Sequence, residues 1–401
     1  MPDATVGVYL HVPYCERVCP YCDFAVVAAR PLGSEHEARF ARAVLAELDA
    51  RRPAFAGRRL GSVYFGGGTP SLLRPETVAR LVRAVHGAFA TPGDPGGVEV
   101  TLEVNPSTLE RERLPGFREA GVTRVSVGIQ SFDDAVLKRL GRAHRAREGR
   151  RTLAACRAAG FANLSLDLLF AAPGQDLAAL ERDLAEVCAF GPEHVSAYEL
   201  TWEPETPFGR AAARGRLTPA DEDLAVAMHE RVEAELAAAG LERYEISSYA
   251  RAGRESVHNR RYWERRPVLA LGPGAVSLDP PGAAGPFGVR VANVRSEGEY
   301  LARIEAGAPA TAGPGEVLDA RTARGEAAFL ALRTAGGLAA GPFASEFGAP
   351  PRAFFGEAIA RLAAQGLLCE GPQAICSSRR AAGSCRIACL RSLYEWGWST
   401  F

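Results

Sequence analysis

The chain has 401 residues, with Lys+Arg and Asp+Glu each numbering 47, so no net field draws it to a nucleic acid or to an anionic membrane surface. Its 47% hydrophobic and 23% charged content is that of a folded globular protein and excludes a disordered or fibrous chain. At about 150 residues per domain, it should hold two or three domains, or one large barrel with an appendage. Lys138 is the one lysine, so the basic residues are almost all arginine, a composition bias from which no function follows. No run approaches the roughly 20 apolar residues of a membrane span, and the first ten residues, MPDATVGVYL, lack the pattern of a leader. The expected location is cytoplasmic, where nine cysteines read as thiols or metal ligands rather than as a disulfide framework.

In chain order, strand patterns fall at TVGVYLHV, GSVYFG, VEVTLEV, RVSVGIQ, NLSLDLLF and HVSAYEL, up to about residue 200. Between them lie helical patterns such as SEHEARFARAVLAELDA, RPETVARLVRAVHGAFA and QDLAALERDLAEVCAF. Strands alternating with helices of this length imply a parallel sheet with the helices outside it, and six such units imply an incomplete barrel or an open α/β sheet. Polar and special residues recur at or just after the strands: the first cysteines, then GGGTP, Glu103 with Asn105, Gln130, Asp167, and Tyr198 with Glu199. In a parallel β/α barrel those strand ends converge on one face. After the exit TWEPETPFGRAAARG comes a helix near 219–239, followed by the loop-like YEISSYARAGRESVHNRRYW, the Gly/Pro stretch LGPGAVSLDPPGAAGPFG and a more helical region over 297–367. These changes of pattern divide the chain into 1–215, 216–309 and 310–401.

The stretch YCERVCPYCDF places Cys15, Cys19 and Cys22 directly after the first strand. Three thiolates on one short loop can bind three irons of a cubane and leave the fourth without a protein ligand. A tetrahedral zinc, with His11 as fourth ligand, and a set of buried thiols are the other readings of the spacing. The position after the first strand of a barrel favours the cluster. YFGGGTPS sets three glycines where a strand ends, which suits close approach of a ligand, but it lacks the G-x4-G-K-[ST] pattern of a P-loop.

Together and in this order, the C-x3-C-x2-C loop, GGGTPS, EVNP, VGIQSF with LGRAH, and LDLLFAAPGQ resemble the radical S-adenosylmethionine (SAM) superfamily. More narrowly they are similar to the branch holding oxygen-independent coproporphyrinogen III oxidase (HemN) and the heme chaperone HemW. The resemblance spans residues 5 to 370 or so. It implies a (β/α)6 radical SAM barrel with a smaller, mainly helical, winged-helix-like C-terminal domain. It further implies that Cys15, Cys19 and Cys22 hold a [4Fe-4S] cluster whose open iron is chelated by SAM. Tyr9 and Tyr21 would line the cluster and SAM, with Gly67, Gly68 and Thr69 meeting the methionine part through backbone groups. Glu103, Gln130, Arg142 and Asp167 match positions that contact SAM.

Phe24, two residues past Cys22, stands where the oxidases carry another cysteine, and 14 residues precede Cys15 where they have a longer segment. Both features point to the chaperone side of the branch. HNRRYW, from His258 to Trp263, is similar to a segment associated there with heme. A neutral His258 can be an axial ligand, Tyr262 and Trp263 can cover a porphyrin face, and Arg260 and Arg261 can meet propionates. The plainer alternative is a hydrogen-bonded histidine. The implied function is binding of heme and its transfer to heme-accepting proteins, with an electron donor for the cluster and a second copy of the chain as further partners. Alternatives are radical decarboxylation of coproporphyrinogen III, and a radical SAM enzyme acting on another substrate. The sequence departs from the branch at Val276, where relatives commonly show histidine, at FAAPG, and in the tail CEGPQAICSSRRAAGSCRIACLRSLYEWGWSTF. Cys369, Cys376, Cys385 and Cys389 of that tail fit no common metal spacing, and a shifted reading frame from about residue 373 is expected.

Overall fold

The computed structural model describes residues 4–29, 32–90 and 97–377. Strand β1 (Thr5–Val12) leads to helix α1 (Ser34–Arg51), β2 (Arg59–Gly67) to α2 (Pro75–Ala88), and β3 (Glu99–Val104) to α3 (Thr108–Glu119). Then come β4 (Arg124–Gln130) with α4 (Ala146–Ala158), β5 (Leu164–Phe170) with α5 (Leu177–Phe190), and β6 (His194–Glu199) with α6 (Glu222–Ala238). The six strands pair in chain order and all run parallel.

Period-two alternation explains both faces of this sheet. Val6, Val8 and Leu10 of β1, Val125 and Val127 of β4, and Leu164 and Leu166 of β5 pack with Phe40, Val44, Leu81, Val85, Leu153 and Leu184 of the helices in one buried core. Their strand neighbours, among them Tyr64, Glu103, Ser126, Asp167 and Tyr198, line a cavity of about 680 Å³ on the opposite face. Side chains from β2 to β6 meet in that one cavity, so the sheet curves around it as the incomplete barrel expected from six β/α units.

Residues beyond α6 complete the sheet. Strand β7 (Ser248–Ala250) runs antiparallel to β6, and β8 (Val268–Leu271) runs parallel to β1 on the other edge, followed by antiparallel β9 (Val276–Asp279) and β10 (Val289–Ala292). With the short strands Glu242–Arg243 and Glu316–Val317 the sheet has twelve strands. Two expectations are corrected here. The Gly/Pro stretch begins at the end of β8 and contains β9, and HNRRYW is not a loop but lies within helix α7 (Val257–Trp263). The helix starts because the Ser256 hydroxyl accepts from the Asn259 amide at 3.2 Å while Glu99 Oε1 accepts from the Val257 and His258 amides at 3.0 and 3.4 Å.

Helix α8 (Glu297–Glu305) packs on α1 through Tyr300 and Leu301 against Ala43. The C-terminal part is helical, as expected: α9 (Ala320–Leu332), α10 (Ala340–Phe347) and α11 (Pro351–Ala364) surround a three-stranded antiparallel sheet. Its strands β11 (Leu338–Ala339), β12 (Leu368–Glu370) and β13 (Ala374–Ser377) run in the order β11-β13-β12. Leu332, Phe343, Ile359, Leu362 and Ile375 form its core. Strand β13 thus lies past the point near residue 373 where the shifted frame was expected. The rest of that expectation, with Cys385 and Cys389, falls outside the described residues. No helix among the described residues is long and apolar enough to cross a membrane.

Candidate functional site

The loop after β1 is folded back on itself. Tyr14–Cys15 pairs with Val27–Ala28, the Ala29 amide donates to the Cys15 carbonyl at 2.8 Å, and the Cys22 amide donates to the Cys19 carbonyl at 3.1 Å. This brings Cys15, Cys19 and Cys22 to the wall of the barrel cavity at its mouth. The turn after β2 locks the loop from beneath: the Gly68 amide donates to the Val12 carbonyl at 2.8 Å and the Thr69 amide to the Tyr14 carbonyl at 2.7 Å. Backbone contacts from Gly68 and Thr69 to a ligand therefore run through carbonyl oxygens. Glycine is required there by geometry. Gly67 has a φ of +104°, and a Cβ on Gly68 would lie 2.7 Å from the Tyr14 carbonyl and 3.0 Å from Cys15 Sγ.

A hydrogen-bonded chain joins two of the thiols. Arg142 Nη1 reaches Cys19 Sγ at 3.6 Å, and Nη2 donates to Asn105 Oδ1 at 2.6 Å and to the Gly128 carbonyl at 3.0 Å. Asn105 Nδ2 donates to Thr69 Oγ1 at 2.6 Å, and that hydroxyl reaches Cys15 Sγ at 3.7 Å. Burial pushes the Cys15 thiol up to about 11 and raises Cys22 as well, with Arg142 pulling both the other way. A metal deprotonates such thiols outright.

Deeper in the cavity, burial and the neighbouring Asp167 push Glu103 up to about 8. The Tyr64 hydroxyl donates to it at 2.9 Å. Burial pushes Asp167 up to about 6 against the Ser126 hydroxyl, which donates to it at 3.1 Å. Gln130 ends β4 at a φ of +66°, a conformation held by the anchoring of Ser131 and Phe132 to α5. There Asp183 accepts from the Ser131 hydroxyl at 2.7 Å and from the Phe132 amide at 2.6 Å.

Of the residues expected from the sequence, Cys15, Cys19, Tyr21, Cys22, Gly67, Gly68, Thr69, Glu103, Gln130, Arg142 and Asp167 all line the one cavity. Tyr9 and His258 lie beside it. The Tyr9 hydroxyl is held by His11 Nδ1 at 3.2 Å, and its ring sits 6.1 Å from those of Tyr64 and His258. His258 is 1% exposed, Ser62 Oγ is 3.0 Å from its Nδ1, and burial pushes it down to about 3. Asn105, expected at this face from its strand end, lines the site as well, and so do Tyr64, Ser126 and Ser196, which were not assigned to it from the sequence. The signal for three of them was present as polar residues at every second position of otherwise apolar strands.

The donor set fits a cluster better than a zinc ion. Both nitrogens of His11 are engaged, Nε2 with the Ala25 carbonyl at 2.9 Å and Nδ1 with Tyr9, which removes the fourth ligand of the zinc reading. Among the described residues no three His, Cys, Asp or Glu side chains converge on a single-ion site, whereas a cubane binds its thiolates on separate irons, farther apart than ligands of one zinc.

Residues 9–187 match the Radical SAM superfamily, and residues 318–382 match the HemN C-terminal domain. A Bacillus subtilis protein named heme chaperone HemW is 32% identical over 372 residues, covering 92% of this chain and 94% of its own length. The chain belongs to the HemW family of radical SAM proteins. The Haemophilus influenzae HemW is 37% identical over 272 residues, 67% of this chain and 69% of that protein. The Bos taurus radical S-adenosyl methionine domain-containing protein 1, mitochondrial, is 39% identical over 279 residues, and the chain spans 62% of its length. Among solved structures, coproporphyrinogen III oxidase (HemN) from Escherichia coli superposes with a TM-score of 0.80 over 97% of this chain and 90% of its own, at 21% identity, a likeness of fold. Membership of the radical SAM superfamily implies a [4Fe-4S] cluster and SAM, and the HemW-family cavity described above has the thiols and polar walls that suit them.

Proposed function

We propose that this protein is a cytoplasmic heme chaperone: it holds a [4Fe-4S] cluster on Cys15, Cys19 and Cys22, binds SAM beside it, and passes heme to acceptor proteins. The observation that carries this reading is the likeness to a named heme chaperone along 92% of the chain. Phe24 supports it, because the position two residues past Cys22 offers an apolar ring, 66% exposed at the cavity mouth, in place of another thiol. In this reading Tyr9, Tyr21, Gly67, Gly68, Thr69, Glu103, Gln130, Arg142 and Asp167 surround SAM. When bound, the cluster supplies one-electron chemistry at the SAM sulfonium. The chain's own residues orient and enclose: Arg142 and Thr69 fix two thiols, Tyr64 and Ser126 hold the two carboxylates, and Tyr21 packs with Phe208 and Trp202 against water at the rim.

His258 enters as the heme ligand. Its depressed basicity keeps the imidazole neutral, the form that ligates iron, and Nε2 has no hydrogen-bond partner among the described residues. The ring is enclosed by Tyr9, Tyr64 and Tyr262, so iron reaches Nε2 only where these rings make room for it. Anaerobic reconstitution followed by iron and sulfide analysis should give a cluster that each Cys→Ser variant loses. Heme titration should give a Soret shift that His258→Ala weakens, while unfolding of the same variant reports its packing role. Turnover of coproporphyrinogen with SAM and a reductant would overturn the chaperone reading in favour of the oxidase. Unchanged heme affinity with lowered stability in His258→Ala would assign that residue to the floor alone.

A further inference from the structure

Arg124, the first residue of β4, is 2% exposed, yet among the described residues its guanidinium forms no ion pair. Nη1 donates to Asn163 Oδ1 at 3.0 Å and to the Arg254 carbonyl at 3.1 Å, which leaves Nε and Nη2 without partners among the described residues on the cavity wall. Glu99 and Asp167 both feel its charge. Each is otherwise engaged, Glu99 by the first amides of α7 and Asp167 by the Ser126 hydroxyl. A buried cation without a bound counter-charge is costly. The free Nε and Nη2 edge of an arginine is also a two-pronged donor shaped for a carboxylate.

The same floor carries Asn259. Of the six residues of HNRRYW, only Asn259 lines the cavity. Its backbone amide is spent on Ser256, while its side-chain amide has no partner among the described residues. The neighbouring polar groups of the segment have other tasks, His258 on Ser62 and Arg261 on Thr5. Arg124 begins β4 and Gln130 ends it, so about 20 Å of strand separates this floor from the mouth where the cysteines lie.

We propose that Arg124 and Asn259 form a carboxylate-binding site on the floor of the barrel cavity, below the SAM residues. The ligand is a small organic acid or the carboxylate arm of a larger molecule. Nε–H and Nη2–H of Arg124 donate to its two oxygens, and Nδ2–H of Asn259 donates to one of them. The site stands independently of the heme reading.

The test uses the full chain in two arms, each comparing wild type with Asn259→Asp. This variant keeps the side-chain size and suits the first turn of a helix, but it puts a carboxylate in the cavity that Arg124 also lines. In the first arm, sodium succinate replaces sodium chloride at constant ionic strength. The unfolding midpoint should rise with succinate in wild type and stay flat in the variant. In the second, iron protoporphyrin is compared with its dimethyl ester. A preference for the free acid of about tenfold or more in wild type, lost in the variant, assigns the carboxylate to an arm of the cargo. A response to succinate alone assigns it to a free acid. If neither porphyrin binds, the heme reading fails while a succinate response keeps the site. Identical behaviour of wild type and Asn259→Asp in both arms overturns the proposal.

Discussion

Thr69 and Arg142 hold the cysteine loop from two sides, and the space beneath it is closed by backbone rather than by side chains that can yield. Adding one methyl group at Gly68 forces a Cβ to within 2.9 Å of the Val12 carbonyl and 2.7 Å of the Tyr14 carbonyl. Gly68→Ala is therefore expected to cost about 1–3 kcal/mol and to lower the iron bound per chain after reconstitution. Iron and sulfide analysis beside an unfolding curve of the apoprotein checks both. Asp183 sets a second constraint, through pH. Burial pushes its carboxyl up to about 6 from 3.8, so the fold holds this proton more tightly than the unfolded chain does. Its contribution is fully present below about pH 4 and is lost as pH rises through about 6, a change on the order of 3 kcal/mol. Asp183→Asn should flatten that part of the stability profile between pH 4 and 7, as read from denaturant midpoints. An unchanged profile would remove Asp183 as its source. The cysteines, the glycines and the polar residues at strand ends could be read from the sequence because the barrel collects strand ends. Asn105 could be placed at that face, but its bridging of Thr69 and Arg142 could not be read, since those partners are far away in the chain.

Helix α7 shows where local pattern gives out. Its seven residues, VHNRRYW, include β-branched and aromatic types of modest helix propensity. The helix exists because Ser256 and Glu99 cap it and because Arg261 ties it to the start of β1. Arg261 is buried, with Nη1 on Thr5 Oγ1 and Nη2 on the Thr5 carbonyl, both at 2.9 Å, and Nη2 within 3.3 Å of the Pro267 carbonyl. Gly7 and Gly61 make room for it, since a Cβ on either would come within 2.7 Å of the arginine side chain. A residue that sequence alone offers to a propionate is thus a strut between β1 and α7. Strands β8 and β9 escaped notice for a related reason: each has four residues with glycine or proline close by, and each forms by adding to a sheet edge built elsewhere. Arg261→Met is expected to destabilise the fold by about 2–4 kcal/mol, because the buried carbonyls of Thr5 and Pro267 lose charged donors. Chemical denaturation measures this, and a loss below about 0.5 kcal/mol, the range of ordinary surface changes, would contradict the strut.

At the scale of the whole molecule, the six repeated units were readable from alternation alone, whereas the seating of the C-terminal helices on the sheet rests on a few charges no pattern announces. Glu326 on α9 is buried and accepts from Arg265 Nε at 3.1 Å while also pairing with Arg290 of β10. Arg265 Nη1 reaches on to Glu346 of α10 at 2.7 Å. Two cations from the barrel side therefore converge on one carboxylate from the C-terminal unit, and removing it leaves them without their shared partner in a buried place. Arg265 keeps Glu346 and Arg290 keeps Glu316, so Glu326→Ala should cost about 1–3 kcal/mol at this seam. The loss should be local, because the C-terminal unit has its own core of Leu332, Phe343, Ile359 and Leu362, separate from that of the barrel. Hydrogen exchange should accordingly speed up across Ala320–Leu332 and Ala340–Phe347. The amides of β1 to β5 and the iron content after reconstitution should stay as in wild type. Faster exchange across β1 to β5 as well would show that barrel and C-terminal unit unfold as one.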